Sequence, residues 1–432
     1  MTSTALLTDH YELTMLQAAL ASGHAHRRCV FEAFARRLPG GRRYGVVAGT
    51  GRILETLADF RFGPEQIDFL RSSGVVDEPT LAYLADYRFT GDIHGYAEGE
   101  CYFPGSPVLV VESSFAEGVI LETLVLSILN HDSAVASAAS RMTAAAGDRP
   151  CFEMGSRRTQ EDSAVAAARA AYIAGFASTS NLQAGLTHGV PTVGTAAHSF
   201  TLLHDSEREA FASQLASLGT DTTLLVDTYD VTEAVALAVE LAGPGLGGVR
   251  LDSGDLISQA HEVRVQLDAL GATDTRVVVT SDLDEHAIAA LQVAPVDAYG
   301  VGTQVVTGSG APAAGMVYKL VSRESAAGEM EGVAKASKDK LSVGGRKYAL
   351  RRRNETGGAQ EELIGIQRQP EDDGDDRSLL VPLVRAGEVI VPTDARSARE
   401  HHAWARAELP TRALRLSDGD PAIPTSYLDD WS

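Results

Sequence analysis

The sequence contains few cysteines, few lysines and no long apolar run. Its 432 residues include three scattered cysteines, Cys29, Cys101 and Cys151. Their odd number and spacing exclude a disulfide framework and a zinc site and favour a reducing cytoplasm. No apolar run approaches the roughly 18 residues that a membrane helix needs, so we expect no membrane partner. The formal net charge is −21 and no basic stripe is present, so we expect no nucleic-acid partner either.

Lysine is scarce and clustered. Five of the 37 basic residues are lysines, and all five lie between Lys319 and Lys347. A codon bias towards arginine accounts for the scarcity but not for the clustering. Two interpretations of Lys335, Lys338 and Lys340 stay open: they contact a phosphorylated ligand as point charges, or they belong to a solvated loop.

The composition, 44% hydrophobic and 22% charged residues, is that of a globular protein and excludes a disordered or fibrous one. The length predicts two or three domains. The first, residues 1–114, begins with a helix that has Thr8 or Asp9 as its N-cap and Leu13 and Leu16 at helical spacing. The alternating, turn-rich residues that follow predict strands, so this domain is expected to be α+β.

Residues 115–330 have a different pattern. Short apolar runs ending in polar or glycine residues alternate with helical stretches at intervals of roughly 20–30 residues, which predicts parallel β/α units. The seven runs lie at 151–158, 174–181, 190–199, 223–230, 247–255, 276–282 and 296–303.

Residues 331–432 lose this rhythm. They are predicted to form antiparallel strands that complete the N-terminal domain, followed by a helical tail. The predicted fold class is therefore α/β: an irregular (β/α) barrel, complete or broken, plus an α+β domain built from the N- and C-terminal segments.

Polar residues at the carboxyl ends of barrel strands face the active site, so the ends of the seven runs predict its composition. Arginines, carboxylates, a histidine and a glycine loop together suit a phosphorylated, metal-bound substrate. The candidates are Arg157, Arg158, Ser178, Thr179, Ser180, Asn181, His198, Asp227, Asp252, Asp255, Ser281, Asp282, Gly300 and Gly302.

Three of these features point to specific chemistry. The glycines of YGVGTQ either let backbone amides converge on a phosphate or form a tight turn. Asp252 and Asp255 are placed to accept from vicinal hydroxyls or to hold Mg²⁺ through water, although Asp255 is equally suited to cap a helix. Asp227 is predicted to orient the ring of His198, which makes that histidine a candidate nucleophile or general base.

Eight motifs, in order and spacing, resemble the nicotinate phosphoribosyltransferase family. They are LLTDHYELTM, EMGSRRT, STSNLQAG, GTAAHSF, LVDTYD, RLDSGDL, TSDLDE and YGVGTQ. The resemblance runs from Leu6 to about Arg353, and the residues beyond match only loosely. It implies the type II phosphoribosyltransferase fold and a cytoplasmic homodimer with active sites at the interface.

The reaction that this resemblance implies joins nicotinate to phosphoribosyl pyrophosphate in NAD salvage. The products are nicotinate mononucleotide and pyrophosphate, and the reaction is coupled to ATP hydrolysis. Mg²⁺ is implied as the cofactor and ATP as a co-substrate, but no protein metal ligand is assigned.

The resemblance also implies residue roles on the pyridine side. Tyr11 stacks on the pyridine ring from the neighbouring subunit, and Met154 stands where the family usually has phenylalanine. A thioether still contacts a ring favourably, so this departure concerns nicotinate affinity and not the chemistry. Arg157 is implied to meet the nucleotide phosphate and Arg250 the nicotinate. Ser180 stands where nicotinamide-using relatives carry aspartate, and because a hydroxyl can donate to a carboxylate, it favours nicotinate.

Further roles concern the sugar, the phosphates and ATP. Asp252 is implied to bind the ribose hydroxyls. His198 is implied to be phosphorylated by ATP while Asp227 orients its ring, and the added charge of roughly −1.5 to −2 would organise Mg²⁺ and the leaving pyrophosphate. The backbone amides implied to cradle the 5′-phosphate lie near Ser281, Asp282, Gly300, Gly302 and Thr303.

Three alternatives remain. The acceptor is another pyridine, nicotinamide or quinolinate, although the two carboxylates of quinolinate call for more basic residues. The chain is a sugar-phosphate aldolase or isomerase, although no lysine before Lys319 is available for a Schiff base. In the third alternative the chain is a non-catalytic pyridine-nucleotide sensor. The presence of the candidate residues Arg157, His198 and Asp252 argues against it, since a sensor would be free to lose them.

Overall fold

The computed structural model describes residues 3–335 and 343–428. The chain divides into two compact units, one formed by Met1–Ser137 with Ala311–Ser432 and the other by Ala138–Gly310. These divisions differ from the predicted boundaries at 114/115 and 330/331. The physical reason at the second boundary is strand pairing, because residues 316–324 pair antiparallel with residues 28–35 of the first unit.

The strands within the described residues are β1 (Arg28–Ala35), β2 (Gly45–Val46), β3 (Asp92–Gly95), β4 (Cys101–Tyr102), β5 (Leu109–Ser114), β6 (Cys151–Glu153), β7 (Ser178–Thr179), β8 (Thr223–Leu225), β9 (Gly248–Leu251), β10 (Arg276–Ser281), β11 (Ala298–Val301), β12 (Met316–Glu324), β13 (Met330–Gly332), β14 (Lys347–Arg353), β15 (Ala359–Ile366), β16 (Arg377–Ser378), β17 (Val381–Arg385), β18 (Glu388–Val389) and β19 (Thr425–Tyr427).

The α-helices within the same residues are α1 (His10–Ala21), α2 (Thr50–Ala58), α3 (Pro64–Ser73), α4 (Glu78–Ala85), α5 (Phe115–Val119), α6 (Glu122–Ala146), α7 (Glu161–Ile173), α8 (Leu182–His188), α9 (His198–Leu203), α10 (Glu207–Leu218), α11 (Val231–Ala242), α12 (Leu256–Ala269), α13 (Glu285–Ala290), α14 (Thr303–Val306) and α15 (Ala395–Ala407).

The first unit is built on mainly antiparallel sheets, in which β15 and β19 are a parallel pair. Its larger sheet has the order β13-β12-β1-β5-β3-β17-β18, and a second sheet has the order β16-β14-β15-β19. β1 lies between β12 and β5, and seven of its eight residues are buried. The predicted α+β domain made from both ends of the chain is thereby confirmed.

Lys347, the last lysine of the cluster, forms a buried ion pair. Its Nζ lies 2.7 Å from Glu32 Oε2, and both side chains are buried. The two residues lie on β14 and β1, so the ion pair joins strands of the two sheets. Of the other lysines in the cluster, Lys335 is exposed, and Lys338 and Lys340 lie outside the described residues.

A second buried ion-pair group, which we call the Arg351 cluster, comprises Arg351, Glu100, Glu362, Arg377 and Glu408. Arg351 lies 3.2 Å from Glu100 and 2.5 Å from Glu362, and Arg377 lies 2.7 Å from Glu100 and 2.6 Å from Glu408. Burial alone would raise the pKa of Glu100, but the surrounding cations hold it well below its usual range.

The second unit carries a parallel sheet with the order β7-β6-β11-β10-β9-β8. Each strand is followed by a helix, as the strand–helix alternation predicts. The predicted run at 190–199 contributes only an isolated bridge between Thr192 and Thr179. Because the pairings among the described residues do not join that bridge to β8, the sheet is a curled half-barrel. The predicted irregular α/β barrel is confirmed in this open form.

One stretch of the chain, Phe115–Ala146, has the length and composition of a membrane span, with a mean hydropathy of 1.4 in its most apolar window. In the folded protein 67% of that window is buried. Burial of this kind is typical of a core helix, and α6 supplies core residues such as Leu124, Val125 and Leu129.

Candidate active site

The carboxyl ends of β6, β9, β10 and β11, together with the start of α9, line a cavity of about 420 Å³ in the second unit. This is the edge of the sheet where strand-end residues were predicted to meet. The predicted residues that line it are Met154, Arg157, Arg158, His198, Arg250, Asp252, Ser281, Asp282, Gly300, Gly302 and Thr303.

Among the residues to which the resemblance gives a role, three do not line the cavity. Asp227 lies beside it, close to His198. Ser180 is exposed at the end of β7, where its backbone N–H donates to the carbonyl of Glu153 at 2.8 Å. Tyr11 belongs to α1 of the first unit and is 45% exposed. Partial burial and the nearby carboxylate of Glu122 raise the pKa of Tyr11 to about 12.

His198 occupies the first turn of α9, with its side chain 40% exposed. Its Nδ1 lies 3.1 Å from Thr228 Oγ1, a hydrogen bond that fixes the ring. Its Nε2 lies 3.8 Å from Asp227 Oδ1 and 4.0 Å from Asp252 Oδ2, beyond hydrogen-bond distance of either. The ring is therefore held by Thr228, and Asp227, which was predicted to orient it, lies farther from it.

Asp227 is a buried carboxylate that can accept further hydrogen bonds. Its Oδ2 accepts from the backbone N–H of Asp252 at 2.9 Å and from Ser253 Oγ at 2.8 Å. Its Oδ1 is buried and faces His198, and it has no hydrogen-bond partner among the described residues. A buried acceptor left unpaired is costly, so this oxygen is available to a proton, a cation or a ligand donor.

Asp252 and its neighbours form the floor of the cavity. Asp252 Oδ1 accepts from Thr280 Oγ1, while its side chain stays 43% exposed. Ser281, which follows Thr280, has a φ of 149°, a conformation that L-residues rarely adopt and that is often found at functional sites. Gly300 is required beside them, since a Cβ there would lie 2.4 Å from Thr280 Cγ2 and 2.9 Å from Met154 Sδ.

Three arginines give the cavity its positive charge. Arg157 and Arg158 are exposed on the loop after β6, and Arg250 is half-buried on β9. Arg250 donates to Thr195 Oγ1 at 2.9 Å, and its Nε is buried without a partner. Burial lowers the pKa of Arg250, an effect that Asp252 and Asp227 oppose. Three guanidinium groups around one cavity suit an anionic ligand.

Some functional neighbours were missed by sequence reasoning. Thr228, Thr280 and Thr195 orient a histidine, an aspartate and an arginine of the site respectively. Each stands inside or next to a run that was already identified, so a strand-end hydroxyl adjacent to a candidate residue was the available signal. Conversely, Asp255 is the N-cap of α12, where its side chain accepts from Ser258. That observation settles the open choice for Asp255 in favour of a structural role.

Comparisons with known proteins agree with this geometry. Residues 6–130 match the family model described as the nicotinate phosphoribosyltransferase (NAPRTase) N-terminal domain. The chain is 58% identical to nicotinate phosphoribosyltransferase pncB1 of Mycobacterium tuberculosis over 431 residues, covering 97% of this chain and 94% of that protein. It is 37% identical to nicotinate phosphoribosyltransferase of Bacillus subtilis over 360 residues, covering 81% of this chain and 73% of that protein.

A solved structure agrees as well. The crystal structure of human nicotinic acid phosphoribosyltransferase superposes with a TM-score of 0.83 at 25% identity and covers 97% of both chains. The matches to pncB1 and to the human structure, which cover 97% of this chain, extend into the C-terminal residues, which the motifs alone had matched only loosely. The chain therefore belongs to the nicotinate phosphoribosyltransferase family and has the function of that family in NAD biosynthesis.

Proposed function

We propose that this nicotinate phosphoribosyltransferase couples transfer to ATP hydrolysis through phosphorylation of His198. The observation that carries the proposal is the orientation of the imidazole at the cavity wall. Nδ1 faces the hydroxyl of Thr228, and Nε2 faces the cavity side with Asp227 and Asp252 nearby. If Nδ1–H donates to Thr228 Oγ1, the lone pair is on Nε2, which is then the nucleophilic nitrogen.

In the first half of the proposed cycle, Nε2 attacks the γ-phosphorus of ATP. The N–P bond forms as the P–O bond to ADP breaks, and arginines of the cavity neutralise the transferred phosphoryl group. The phosphorylated ring carries roughly −1.5 to −2 charges and remains next to Asp252. Its hydrolysis after catalysis releases phosphate and makes the overall synthesis favourable.

In the transfer step, the bond from C1 of the ribose to pyrophosphate breaks and a bond to the pyridine nitrogen of nicotinate forms. No side chain needs to attack carbon, so positioning and electrostatics supply the rate. Asp252 binds the ribose hydroxyls. The backbone amides near Ser281, Asp282, Gly300, Gly302 and Thr303 hold the 5′-phosphate.

Selectivity for nicotinate is proposed to come from residues around the pyridine. Arg157 and Arg250 bind anionic groups, Met154 contacts the ring, and the hydroxyl of Ser180 donates to the nicotinate carboxylate. Tyr11 is proposed to stack on the ring across a homodimer interface. Its partly exposed phenol on α1 leaves a face available for such a contact.

The donor set also fits Mg²⁺. Among the described residues, Asp227 Oδ1 has no partner and the Asp252 side chain is partly exposed, and both carboxylates offer the hard oxygens that Mg²⁺ prefers. When bound there, the ion would neutralise charge on the departing pyrophosphate. We place the reaction in the cytoplasm, since the three cysteines are all buried and unpaired.

A paired assay tests this function. Wild type and His198→Ala are compared with nicotinate and with nicotinamide, each with and without ATP. We expect turnover of nicotinate alone, and we expect the variant to lose ATP stimulation while keeping slow basal transfer. His204→Ala is the matched control, because His204 lies just past α9 and its Nδ1 bonds only the carbonyl of Phe200 among the described residues.

Two results would contradict the proposal. Retained ATP stimulation in His198→Ala would show that ATP coupling does not proceed through a phosphate on His198. Equal turnover of nicotinamide would remove the selectivity argument based on Ser180.

A further inference from the structure

A buried carboxylate lies directly behind the loop that carries Met154 and Arg157. Glu153 is the last residue of β6 and is 1% exposed. It has no ion-pair partner among the described residues, whereas Glu285, a buried carboxylate of the same unit, pairs with Arg141 at 2.9 Å. Burial raises the pKa of Glu153, and hydrogen bonds from Thr179 and Gly155 oppose the rise. An unpaired buried carboxylate is costly and calls for a functional reason.

The hydrogen bonds of Glu153 reach two neighbouring strand ends. One carboxylate oxygen accepts from the backbone N–H of Gly155, and the other accepts from Thr179 Oγ1. Its backbone carbonyl accepts from Ser180 N–H at 2.8 Å. Glu153 therefore fixes the start of the 154–158 loop against the end of β7, where Ser180 stands.

The network continues beyond the carboxylate and closes on the same loop. Thr179 Oγ1 accepts from Asn181 N–H at 3.0 Å, and Asn181 Nδ2 donates to Ser156 Oγ at 3.0 Å. The loop also has little room to shift. A Cβ on Gly155 would lie 2.2 Å from Val306 Cγ1 and 2.9 Å from Glu153 Oε1. A displacement of the carboxylate would thus be passed to the loop backbone.

We propose that Glu153 is a positioning residue that sets Met154 and Arg157 on one loop, and Ser180 on the next, at the separation that nicotinate and phosphoribosyl pyrophosphate require. It acts through Gly155 and Thr179 and does not touch either substrate. The inference rests on the roles proposed above for Met154, Arg157 and Ser180.

Three variants test it by steady-state kinetics with both substrates. Glu153→Gln keeps the shape but replaces one acceptor by a donor that faces Thr179 or Gly155. Thr179→Val removes the donor hydroxyl, whereas Thr179→Ser retains it. We expect Glu153→Gln and Thr179→Val each to raise KM for nicotinate and phosphoribosyl pyrophosphate about tenfold with kcat changed less than about twofold. Thr179→Ser should behave as wild type.

Two further measurements separate positioning from mere stability. The double variant Glu153→Gln/Thr179→Val should be no worse than either single variant, because the two side chains share one interaction. Glu207→Gln, a partly buried carboxylate on α10, should leave both KM values unchanged. Thr179→Val and Thr179→Ser keep the test decisive if Glu153→Gln does not fold.

Unchanged KM values in Glu153→Gln and Thr179→Val, with or without a lower melting temperature, would overturn the proposal, and so would an equal rise in Thr179→Ser. Arg157→Ala and Ser180→Ala are measured in parallel. Unchanged KM values in those two would contradict the proposed substrate contacts instead, so the two failures are distinguishable.

Discussion

Charged groups are used in opposite ways in the two units of this protein. In the Arg351 cluster of the first unit, each charged side chain has an ion-pair partner and is largely buried. In the active-site cavity of the second unit, Arg157 is exposed, His198 and Asp252 are about two-fifths exposed, and Asp227 Oδ1 lacks a partner. Charged side chains that pair with one another inside the protein stabilise the fold. Charged side chains that converge on a cavity without being fully paired can bind a ligand and take part in its reaction.

The largest effect is expected from breaking the buried side of this comparison. Arg351→Leu leaves Glu100 and Glu362 buried beside a lost partner, which should lower the free energy of unfolding by about 3–5 kcal/mol. Urea denaturation measures the change. Arg208→Leu, which breaks an exposed pair with Glu240, should cost less than about 1 kcal/mol. Similar losses in the two variants would show that the cluster is not the stabilising element.

Removing a charged side chain from the cavity should lower activity strongly and leave stability almost unchanged. Arg157→Ala deletes a guanidinium proposed to meet phosphate, so kcat/KM should fall about 10²–10³-fold. The free energy of unfolding should change by no more than about 0.5 kcal/mol, because the side chain is exposed. Arg208→Leu, in the same unit, should retain wild-type kcat/KM. A large loss of stability in Arg157→Ala would contradict the distinction between the two regions.

A smaller effect concerns a histidine near the Arg351 cluster. His402 is buried, its Nδ1 bonds the carbonyl of Gly99, and burial lowers its pKa from 6.5 to about 4. Because the unfolded chain takes up this proton first, the stability it confers is complete above pH 6.5 and is lost as the pH falls towards 4. The loss is about 3 kcal/mol at most.

Replacing His402 by asparagine removes that titration while keeping a donor for Gly99. Unfolding free energies measured from pH 8 to pH 4 should then fall less steeply below pH 6.5 than in wild type. His10→Asn, on the exposed start of α1, is the control and should leave the wild-type profile in place. An unaltered slope in His402→Asn would mean that other groups carry the acid sensitivity.

The strand–helix alternation was sufficient to predict the parallel sheet and the residues at its carboxyl ends. It failed where the structure depends on non-local pairing. β12 follows the last β/α unit but pairs with β1, nearly three hundred residues earlier in the chain. Periodicity gives no information on such a partner, so the sequence alone did not place β12 in the first unit, which resumes at Ala311.

The hydrogen-bond partners of the site residues also could not be predicted from local sequence patterns. His198 and Asp227 were identified from their strand-end positions, but the ring is held by Thr228. Glu153 belongs to the EMGSRRT motif, in which Met154 and the arginines, but not the glutamate, were identified as candidates. These hydroxyls and buried carboxylates form hydrogen bonds between neighbouring strands. A single sequence does not show which residues of two strands lie within hydrogen-bond distance.

The most direct test of the account is to locate the phosphate that ATP transfers. The protein is incubated with ATP labelled at the γ-phosphate, kept alkaline to preserve phosphoramidate bonds, digested and sequenced by mass spectrometry. The account predicts one acid-labile phosphate, on His198, that persists in His204→Ala and is absent from His198→Ala. Label on another residue, or none at all in a preparation that turns over nicotinate with ATP stimulation, would contradict it.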